Sequence, residues 1–383
     1  MAALVLDAEQ KTAHLKSVPV PIPSSEELLV QVHYVALNPV DSLYTYNPLG
    51  STGRIIGSDF AGTVRSLGTL ASSLSDLRVG DRVAGFLQGA CSINDRPGAF
   101  AQYLRVPWDL VWKVPAGLPL EAASSISLCG LTAAQALFYR WDLGAPFNWG
   151  NQTADKESRA DSFSIVIYGA STSVGLYAAQ LVRRGAEANK TKVQLIGVAS
   201  EKHFSMLKKE PYSYDHLVDY RQGDWPERVR DYLGGEGADY GYDCISEGTT
   251  VLKTGKTVKP NGGMAVVRSR EGGAWSVPRE DLPSEPVYGA VWEGLGEDVQ
   301  YMGMVLPASP QARSFTVAFY RWISDGGRLQ PNRVRMMPGG LERIVDDGFK
   351  LLGSGTMEQR GTSETEPWMK PLSGEKLVYS IDN

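Results

Sequence analysis

A strand, a tight turn and the start of a helix follow one another in residues 164–175, SIVIYGASTSVG, and this unit limits the fold more than any other feature. The apolar run SIVIY is typical of a buried strand, and the small residues after it let the backbone approach a ligand. The N-terminus of the following helix offers free N–H groups and a positive dipole to phosphate. Gly169 and Gly175 are present, but Thr172 and Ser173 fill the middle positions, so this is a sparse dinucleotide-binding turn. A tight turn that binds nothing is the alternative.

The rest of the central region continues this alternation of strands and helices. Strands are predicted over residues 164–168, 193–198, 216–218, 240–245 and 264–267. Helices are predicted over residues 174–184, 202–209 and 225–233, with Gly185 ending the first and Asp224 capping the last. Strands that alternate with helices form a parallel sheet covered on both faces, so a doubly wound α/β domain is predicted here.

The first third of the chain has a different pattern. Its predicted strands are short, at residues 28–35, 62–65 and 79–86, and glycines separate them. This pattern is typical of an irregular β-barrel or sandwich. The other predicted elements are helices over residues 120–138, interrupted near Gly130, 313–325 and 341–352, and a last strand over residues 375–380.

Composition places the chain among globular proteins. Of its 383 residues, 43% are hydrophobic and 21% are charged, which excludes global disorder. The formal net charge of −5, without long basic runs, argues against a nucleic-acid partner, because that affinity comes largely from neutralised phosphates. Asp7 interrupts the N-terminal apolar run, and no stretch reaches the roughly 18 apolar residues of a membrane span. We therefore expect a cytoplasmic protein that does not bind membranes.

Residues that could bind a metal are few and scattered. The cysteines, Cys91, Cys129 and Cys244, are odd in number and form no CxxC pair, which excludes a disulfide framework and favours a reducing compartment. None of the four histidines stands at metal-ligand spacing from a cysteine, so we expect no metal site. A nucleophilic serine motif of the GxSxG type is absent. Asp41 and Asp59 could form a carboxylate pair, but turn or cap roles are the simpler interpretation.

The end of the second central strand bears on the choice between NADH and NADPH. An acidic side chain at this position binds the ribose hydroxyls of NAD. Here the strand ends in Ser200, Glu201, Lys202 and His203. Ser200 and Lys202 suit a 2′-phosphate, whereas Glu201 would repel it. The residues favour NADPH, with a solvated helix start capped by Ser200 as the alternative.

Seven segments, in order, resemble the medium-chain dehydrogenase/reductase superfamily. They are ALNPVDSLY at residues 36–44, GSDFAGTV at 57–64, VGDRV at 79–83, GAFAQY at 98–103, the stretch 115–138, YGASTSVG at 168–175 and SGEKLV at 373–378. Within the zinc-free, quinone-oxidoreductase-like branch, the chain is similar to fungal trans-acting enoyl reductases that serve polyketide synthases. That similarity is carried by residues 171–174, 200–203, VDYR at 218–221 and the SGEKLV ending.

The resemblance implies a domain organisation and a set of site residues. A GroES-like catalytic domain would comprise residues 1–129 and 312–383, a Rossmann domain residues 130–311, and the active site the cleft between them. The resemblance assigns NADPH contacts to Val40, Asp41, Ser42, Leu43, Gly169, Ser171, Thr172, Ser173, Val174, Ser200, Lys202, His203, Tyr220, Val267, Arg268, Glu375 and Lys376. Among these, residues 40–43 would line the nicotinamide and residues 375–376 would close over it. It assigns the substrate pocket to Leu128, Cys129, Gly130, Leu131, Gln135, Tyr288, Val291 and Trp292.

Leu43 departs from the pattern of the family. Related enzymes often carry Lys or Tyr at this position, and such a side chain donates a hydrogen bond to the substrate carbonyl as that oxygen gains negative charge. Leu43 cannot donate, so Thr132 and Tyr44 are the expected catalytic residues, with Tyr46 or water as other donors. A chain that has moved away from reduction is the alternative.

Three functions remain open at this point. The resemblance implies an NADPH-dependent enoyl reductase that acts on a polyketide thioester held by a synthase. A free-standing quinone or enone reductase fits the same motifs, and Leu43 leaves open a non-redox module that binds or cyclises a polyketide. Related enzymes often dimerise by joining Rossmann sheets edge to edge. The polar residues 284–300 would lie at that edge, so a monomer is expected.

Overall fold

The computed structural model describes residues 1–92, 96–150, 161–301, 304–327 and 329–381. The chain divides into two compact units. The first comprises Met1–Leu128 and Trp292–Asn383, and the second comprises Cys129–Val291. Residues 292–311 therefore lie in the first unit, whereas the family resemblance implies that they belong to the Rossmann domain.

Sixteen strands are present in the described residues. In chain order they are β1 (Ala2–Asp7), β2 (Thr12–Ser17), β3 (Glu27–Ala36), β4 (Asp59–Leu67), β5 (Arg82–Phe86), β6 (Tyr103–Pro107), β7 (Val111–Lys113), β8 (Ser162–Tyr168), β9 (Lys192–Ala199), β10 (His216–Asp219), β11 (Ala238–Asp243), β12 (Val258–Val266), β13 (Val299–Tyr301), β14 (Met304–Leu306), β15 (Arg333–Met336) and β16 (Glu375–Ser380).

The helices include three kinds. The α-helices are α1 (Pro39–Tyr46), α2 (Thr69–Leu74), α3 (Leu120–Ala123), α4 (Ser127–Ala134), α5 (Ser173–Asn189), α6 (Phe204–Leu207), α7 (Trp225–Tyr232), α8 (Thr250–Gly255), α9 (Pro310–Ser324) and α10 (Lys350–Leu352). Gln135–Arg140 and Ile344–Phe349 are π-helical. Short 3-10 helices occupy Trp108–Leu110, Glu201–His203, Arg279–Asp281, Val291–Leu295, Leu341–Arg343, Met357–Gln359 and Pro367–Met369.

The first unit is built on a seven-stranded sheet. Its order is β15-β16-β3-β4-β5-β7, and β6 pairs with β3. The pairs are antiparallel except β15 with β16, which run parallel. Leu28, Val30 and Val32 alternate along β3 and are buried, as expected for a strand with one face in the core. The C-terminal strand β16 thus completes a sheet that the N-terminal third begins.

The second unit contains a five-stranded parallel sheet with the order β10-β9-β8-β11-β12. The chain runs outward from β8 to β10 and then returns to the other side of β8 at β11. This reversal creates a switch point between β8 and β11, and ligands of such sheets bind outside the carboxyl ends of the strands there. The predicted doubly wound domain is confirmed.

The helix after the first central strand is longer than predicted. The sequence predicts a helix end at Gly185, but α5 continues to Asn189 and ends where Lys190 adopts a left-handed conformation with φ of 57°. Gly185 does not end the helix; its lack of a side chain allows α5 to lie close to Gly144 and Phe138. A Cβ at this position would lie 2.7 Å from the carbonyl oxygen of Gly144 and 3.0 Å from the Phe138 ring. Packing therefore outweighs the helix-breaking tendency of glycine.

The helix predicted over residues 120–138 is broken, but not at Gly130. The break falls between α3 and α4, where the hydroxyls of Ser124 and Ser125 donate to the carbonyls of Glu121 and Ala122, at 2.8 and 2.7 Å. Such local hydrogen bonds compete with a continuous helix. The helix predicted over residues 341–352 likewise consists of 3-10, π and α segments.

One helical run of the described chain, Leu120–Arg140, has the length and composition of a membrane span, contrary to the expectation from the sequence. However, 83% of its apolar window is buried inside the protein. That burial is typical of a core helix.

Candidate functional site

The turn between β8 and α5 is held by backbone and side-chain contacts. Gly169 has a φ of +73°, a left-handed conformation that favours glycine. The N–H groups of Gly169 and Ala170 donate to the carbonyl of Val198 on β9, at 3.0 and 3.1 Å. Thr172 caps α5, and its hydroxyl accepts the N–H of Gly175 at 3.2 Å. The turn is therefore fixed at the carboxyl end of β8, beside the switch point.

Gly175 lets the first turn of α5 lie directly against this turn. A Cβ at Gly175 would lie 2.3 Å from the carbonyl oxygen of Gly169, which is far inside van der Waals contact. Ser171, Ser173 and Val174 are half-buried around the same turn. The backbone thus forms a cradle at a helix N-terminus, and such a cradle suits a pyrophosphate.

The ends of β9 and β10 carry a second polar group. Ser200 follows β9 and is buried, and its hydroxyl accepts a hydrogen bond from Nη1 of Arg221 at 2.8 Å. Asp219 ends β10 and accepts Nη1 of Arg221 at 3.2 Å and the N–H groups of Arg221 and Glu201, at 2.9 and 3.0 Å. Burial alone would raise the pKa of Asp219, but these N–H groups and the Arg221 charge hold that pKa below its ordinary value. The carboxylate therefore stays ionised and orients the arginine.

Arg221 is a candidate site residue that is not among the cofactor contacts expected from the sequence. Its guanidinium lies 5.0 Å from the centre of the Tyr220 ring, and its side chain is 57% exposed, so it can still meet an anion. Ser200 and Tyr220, both predicted cofactor contacts, are brought together through it. Lys202 is exposed and His203 is half-buried on the neighbouring 3-10 helix. Arg221 could have been found from the VDYR segment, because its arginine lies two residues after the end of β10.

The ends of β11 and β12 form the other side of the switch point. Asp243 ends β11 and accepts the N–H groups of Ile245 and Ser246, at 2.9 and 2.7 Å, while burial raises its pKa to about 6. The hydroxyl of Ser246 accepts the N–H of Val267 at 2.9 Å. Arg268 pairs with Glu247 at 3.4 Å. The predicted contacts at Val267 and Arg268 are thereby tied to the loop that follows β11.

The predicted substrate residues of the second unit lie on two segments. Cys129, Gly130 and Leu131 are buried on α4, and Thr132 is half-buried there with its carbonyl accepting the hydroxyl of Tyr242 at 3.4 Å. The π-helical segment begins at Gln135, whose side-chain amide donates to the carbonyl of Val291 at 3.5 Å. Tyr288 is half-buried and packs on the core beside β12. The structure therefore brings Gln135 and Val291 together.

A buried polar cluster lies at the start of α1 in the first unit. It consists of Asn38, Asp41, Ser58, Asp59 and Lys376, which are 0–3% exposed. Asp41 accepts the N–H of Asn38 at 2.7 Å and the hydroxyl of Ser58 at 2.8 Å. The side-chain amide of Asn38 donates to Ser58 at 3.0 Å and to Asp59 at 2.9 Å. Asp41 and Asp59 thus share a network, so the turn or cap interpretation of the sequence analysis holds for Asp41 alone.

The C-terminal strand enters this cluster through Lys376. Its ammonium donates to the side-chain oxygen of Asn38 and to Asp59 at 3.2 Å. Glu375 instead pairs with Arg335 of β15 at 2.6 Å, and both of these side chains are largely buried. Glu375 and Lys376, both assigned to the cofactor, therefore bind other side chains of the first unit through their charged groups.

The remaining predicted residues of the first unit lie on α1, on α4 or on the 3-10 helix Val291–Leu295. On α1, Val40 and Leu43 are half-buried, and the buried Ser42 donates to the carbonyl of Gly353 at 2.7 Å. Tyr44, an expected catalytic residue, is only 3% exposed. Residues at the two unit limits are also buried: Leu128, whose N–H donates to Asp59 at 2.9 Å, and Trp292, whose ring lies 5.9 Å from that of Phe86.

Asp41 is expected to make stability depend on pH. Burial raises its pKa to about 7 from the ordinary value of 3.8, although Asn38 and Ser58 oppose the shift. Between these values the folded protein binds more protons than the unfolded chain, so this contribution to stability decreases as the pH rises from about 4 to about 7. We expect Asp41→Asn to make the slope of the free energy of unfolding against pH more positive, by up to about 1.4 kcal/mol per pH unit.

Urea titrations across this pH range would measure the effect. The exposed Asp231 provides the control, because Asp231→Asn should keep the wild-type dependence on pH. Equal pH dependence in wild type and Asp41→Asn would contradict the prediction.

In the part of the chain that the structure describes, no group of three or more His, Cys, Asp or Glu residues is arranged to hold a metal ion. Cys91, Cys129 and Cys244 are all buried, and none of them forms a disulfide in the described residues.

Comparisons with known proteins agree with this architecture. Residues 24–116 match the family model of the alcohol dehydrogenase GroES-like domain. The trans-enoyl reductase thnE of Trichoderma harzianum is 31% identical over 386 residues, covering 99% of this chain and 96% of that relative. The trans-enoyl reductase ffsC of Aspergillus flavipes is 30% identical over 366 residues, covering 95% of this chain and 91% of that relative.

Solved structures share the fold over the full length of the chain. An alcohol dehydrogenase superfamily protein from Novosphingobium aromaticivorans superposes with a TM-score of 0.72 and 18% identity, covering 100% of both chains. The CurK enoyl reductase superposes with a TM-score of 0.71 and 15% identity, covering 100% of this chain and 99% of the other. At these identities the likeness establishes the fold, a GroES-like unit combined with a Rossmann unit.

Proposed function

Because the chain belongs to the trans-enoyl reductases of the medium-chain dehydrogenase/reductase superfamily, we propose that it is an NADPH-dependent enoyl reductase of secondary metabolism. Its substrate would be an α,β-unsaturated polyketide thioester presented in trans by a polyketide synthase. The observation that carries the proposal is full-length similarity to trans-enoyl reductases, combined with a phosphate cradle at the switch point of the second unit.

The choice of NADPH rests on the group at the ends of β9 and β10. A 2′-phosphate carries charge that a guanidinium binds well, and Arg221 is held by Ser200 and Asp219 while more than half of its side chain remains exposed. Lys202, which follows Ser200 by two residues, adds a second exposed cation. Glu201 is exposed and opposes the phosphate, but its own N–H is directed to Asp219. Of the two carboxylates here, Asp219 is already bound to Arg221 and to the N–H groups of Arg221 and Glu201, so Glu201 is the one that opposes the phosphate.

When bound, NADPH supplies the hydride that adds to the β-carbon of the thioester. The α-carbon then takes a proton from solvent, so the C=C bond becomes a C–C bond. The chain must position the substrate and stabilise the thioester oxygen as it gains negative charge. We assign that hydrogen bond to Thr132 or Tyr44, because Leu43 has no donor.

Isotope transfer tests the proposal directly. With NADPH deuterated at the transferred position and a crotonyl thioester of pantetheine, deuterium is expected at the β-carbon in one stereochemical sense.

A variant of Thr132 tests the proposed hydrogen-bond donor. If Thr132 donates the hydrogen bond, Thr132→Val should lower kcat about 100-fold, which is the size of effect seen when an oxyanion donor is lost. Thr191 lies outside the assigned site, so Thr191→Val should retain wild-type kcat.

Other outcomes would assign a different function. Turnover of small quinones without thioester reduction would identify a free-standing quinone reductase. A product at the oxidation level of the substrate, formed without NADPH, would identify a non-redox module. Either result contradicts the proposal.

We further propose a cytoplasmic monomer that meets its synthase as a single chain. The outer edge of β12 is partly covered by its own chain: Val287 exchanges hydrogen bonds with Met264 and Val266, at 2.8 and 3.1 Å, and Ser284 donates to Gly262 at 2.7 Å. A second copy would have to displace this segment to extend the sheet. Sedimentation velocity is expected to give one species near the 41.7 kDa mass of the chain, and a stable dimer would contradict this.

A further inference from the structure

Three segments that the family resemblance assigns to the active site meet at one buried carboxylate of the first unit, that of Asp59. Its Oδ1 accepts the N–H of Leu128, in the segment assigned to the substrate, at 2.9 Å. Its Oδ2 accepts the side-chain amide of Asn38 at 2.9 Å, immediately before the helix assigned to the nicotinamide. The same oxygen accepts the ammonium of Lys376, on the C-terminal strand, at 3.2 Å.

We infer that Asp59 and Lys376 are positioning residues for hydride transfer: they fix α1 relative to the start of α4. The inference rests on the proposed function, because the reaction determines which segments must be aligned. Lys376 is 3% exposed and donates to both Asn38 and Asp59. Its influence on the nicotinamide is therefore exerted through α1.

Stability alone does not account for this arrangement. Burying an ion pair costs desolvation energy that the mutual attraction only roughly offsets, so well-packed apolar residues of similar volume would hold the fold as well. Hydrogen bonds to a carboxylate are directional, however, and the two oxygens of Asp59 bind different segments. Apolar contacts would permit small shifts between those segments, and a displacement of about 1 Å is enough to slow a reaction about 100-fold.

The decisive variant removes both charges together. Lys376→Met leaves Asp59 and Asp41 buried beside no lysine and should lower the melting temperature sharply. The double variant Asp59→Asn/Lys376→Met removes one charge of each sign and should recover most of that loss. We expect its kcat to remain at least about tenfold below wild type, with the Kd for NADPH within about threefold. The isotope effect with deuterated NADPH should also increase, because hydride transfer becomes rate-limiting.

A second ion pair of the same unit provides the matched control. Arg313 and Asp109 are 2.6 Å apart, with side chains 28% and 19% exposed, and neither belongs to an assigned segment. Arg313→Met/Asp109→Asn should alter the melting temperature but leave kcat and the isotope effect unchanged. A double variant of Asp59 and Lys376 that is as stable as wild type and retains wild-type kcat would overturn the inference.

The design separates this inference from the proposed function. If wild type binds NADPH but transfers no hydride to thioesters, the proposed function fails and the fluorescence emission of bound NADPH becomes the readout. A shifted spectrum in the Asp59 and Lys376 double variant, but not in the control, would support positioning of the nicotinamide, and an unchanged spectrum would overturn it. If wild type binds no NADPH, both the function and the inference are wrong.

Discussion

Arg221→Ala is expected to weaken NADPH binding by about 10- to 100-fold and to leave NADH binding within about twofold. Hydrogen bonds to charged groups contribute about 1.5–3 kcal/mol, and about 1.4 kcal/mol corresponds to a factor of ten in affinity. Arg221 is oriented by Ser200 and Asp219, so little freedom is lost when it binds a 2′-phosphate. NADH has no such phosphate, so the affinity for NADH should not depend on this guanidinium.

Calorimetric titration of wild type and variant with both cofactors would measure this selectivity. Arg184 is the matched control, because it pairs with Glu187 within α5, at 3.7 Å, and lies away from the ends of β9 and β10. Arg184→Ala should bind both cofactors as wild type does. An equal loss of NADPH and NADH affinity in Arg221→Ala would show a structural effect, and unchanged NADPH affinity would place the 2′-phosphate elsewhere.

Gly175→Ala is expected to weaken NADPH and NADH binding alike, by at least about tenfold. The new Cβ would lie 2.3 Å from the carbonyl oxygen of Gly169. Its other nearest atoms, in Ala170, also belong to the backbone, so no flexible side chain can move to relieve the contact. The first turn of α5 must therefore move away from the phosphate turn. Inserting a methyl group into a packed site also costs about 1–3 kcal/mol of stability, so the melting temperature should fall.

Gly223→Ala controls for the added methyl group. A Cβ at Gly223 meets no atom within 4 Å, so both cofactor affinity and melting temperature should match wild type. The two pairs of variants test different features. Arg221→Ala tests the selectivity for the 2′-phosphate, whereas Gly175→Ala tests the pyrophosphate cradle that NADPH and NADH would both use. Wild-type binding of both cofactors by a folded Gly175→Ala variant would show that the cradle is not used.

Much of the fold was predictable from the sequence because its signals are local. The run SIVIY and the apolar spacing of the following helix indicate a strand and a helix within a few residues of one another, and their repetition predicts a parallel sheet. The requirement for Gly169 is equally local, because its left-handed φ depends on the turn itself. Gly185 shows the limit of this reasoning: it resembles a helix stop, but Phe138, far away in the chain, determines its role.

The contacts that the sequence did not predict join residues that are distant from one another in the chain. Arg221 and Ser200 are separated by 21 residues, yet adjacent parallel strands place their carboxyl ends side by side. Lys376 lies 317 residues from Asp59, and only the pairing of β16 with β3, and of β3 with β4, brings them together. The sequence by itself therefore determined the family, the two kinds of unit and the phosphate turn. The tertiary structure decided which charges meet, because sheet order and register, rather than sequence separation, set the distances between side chains.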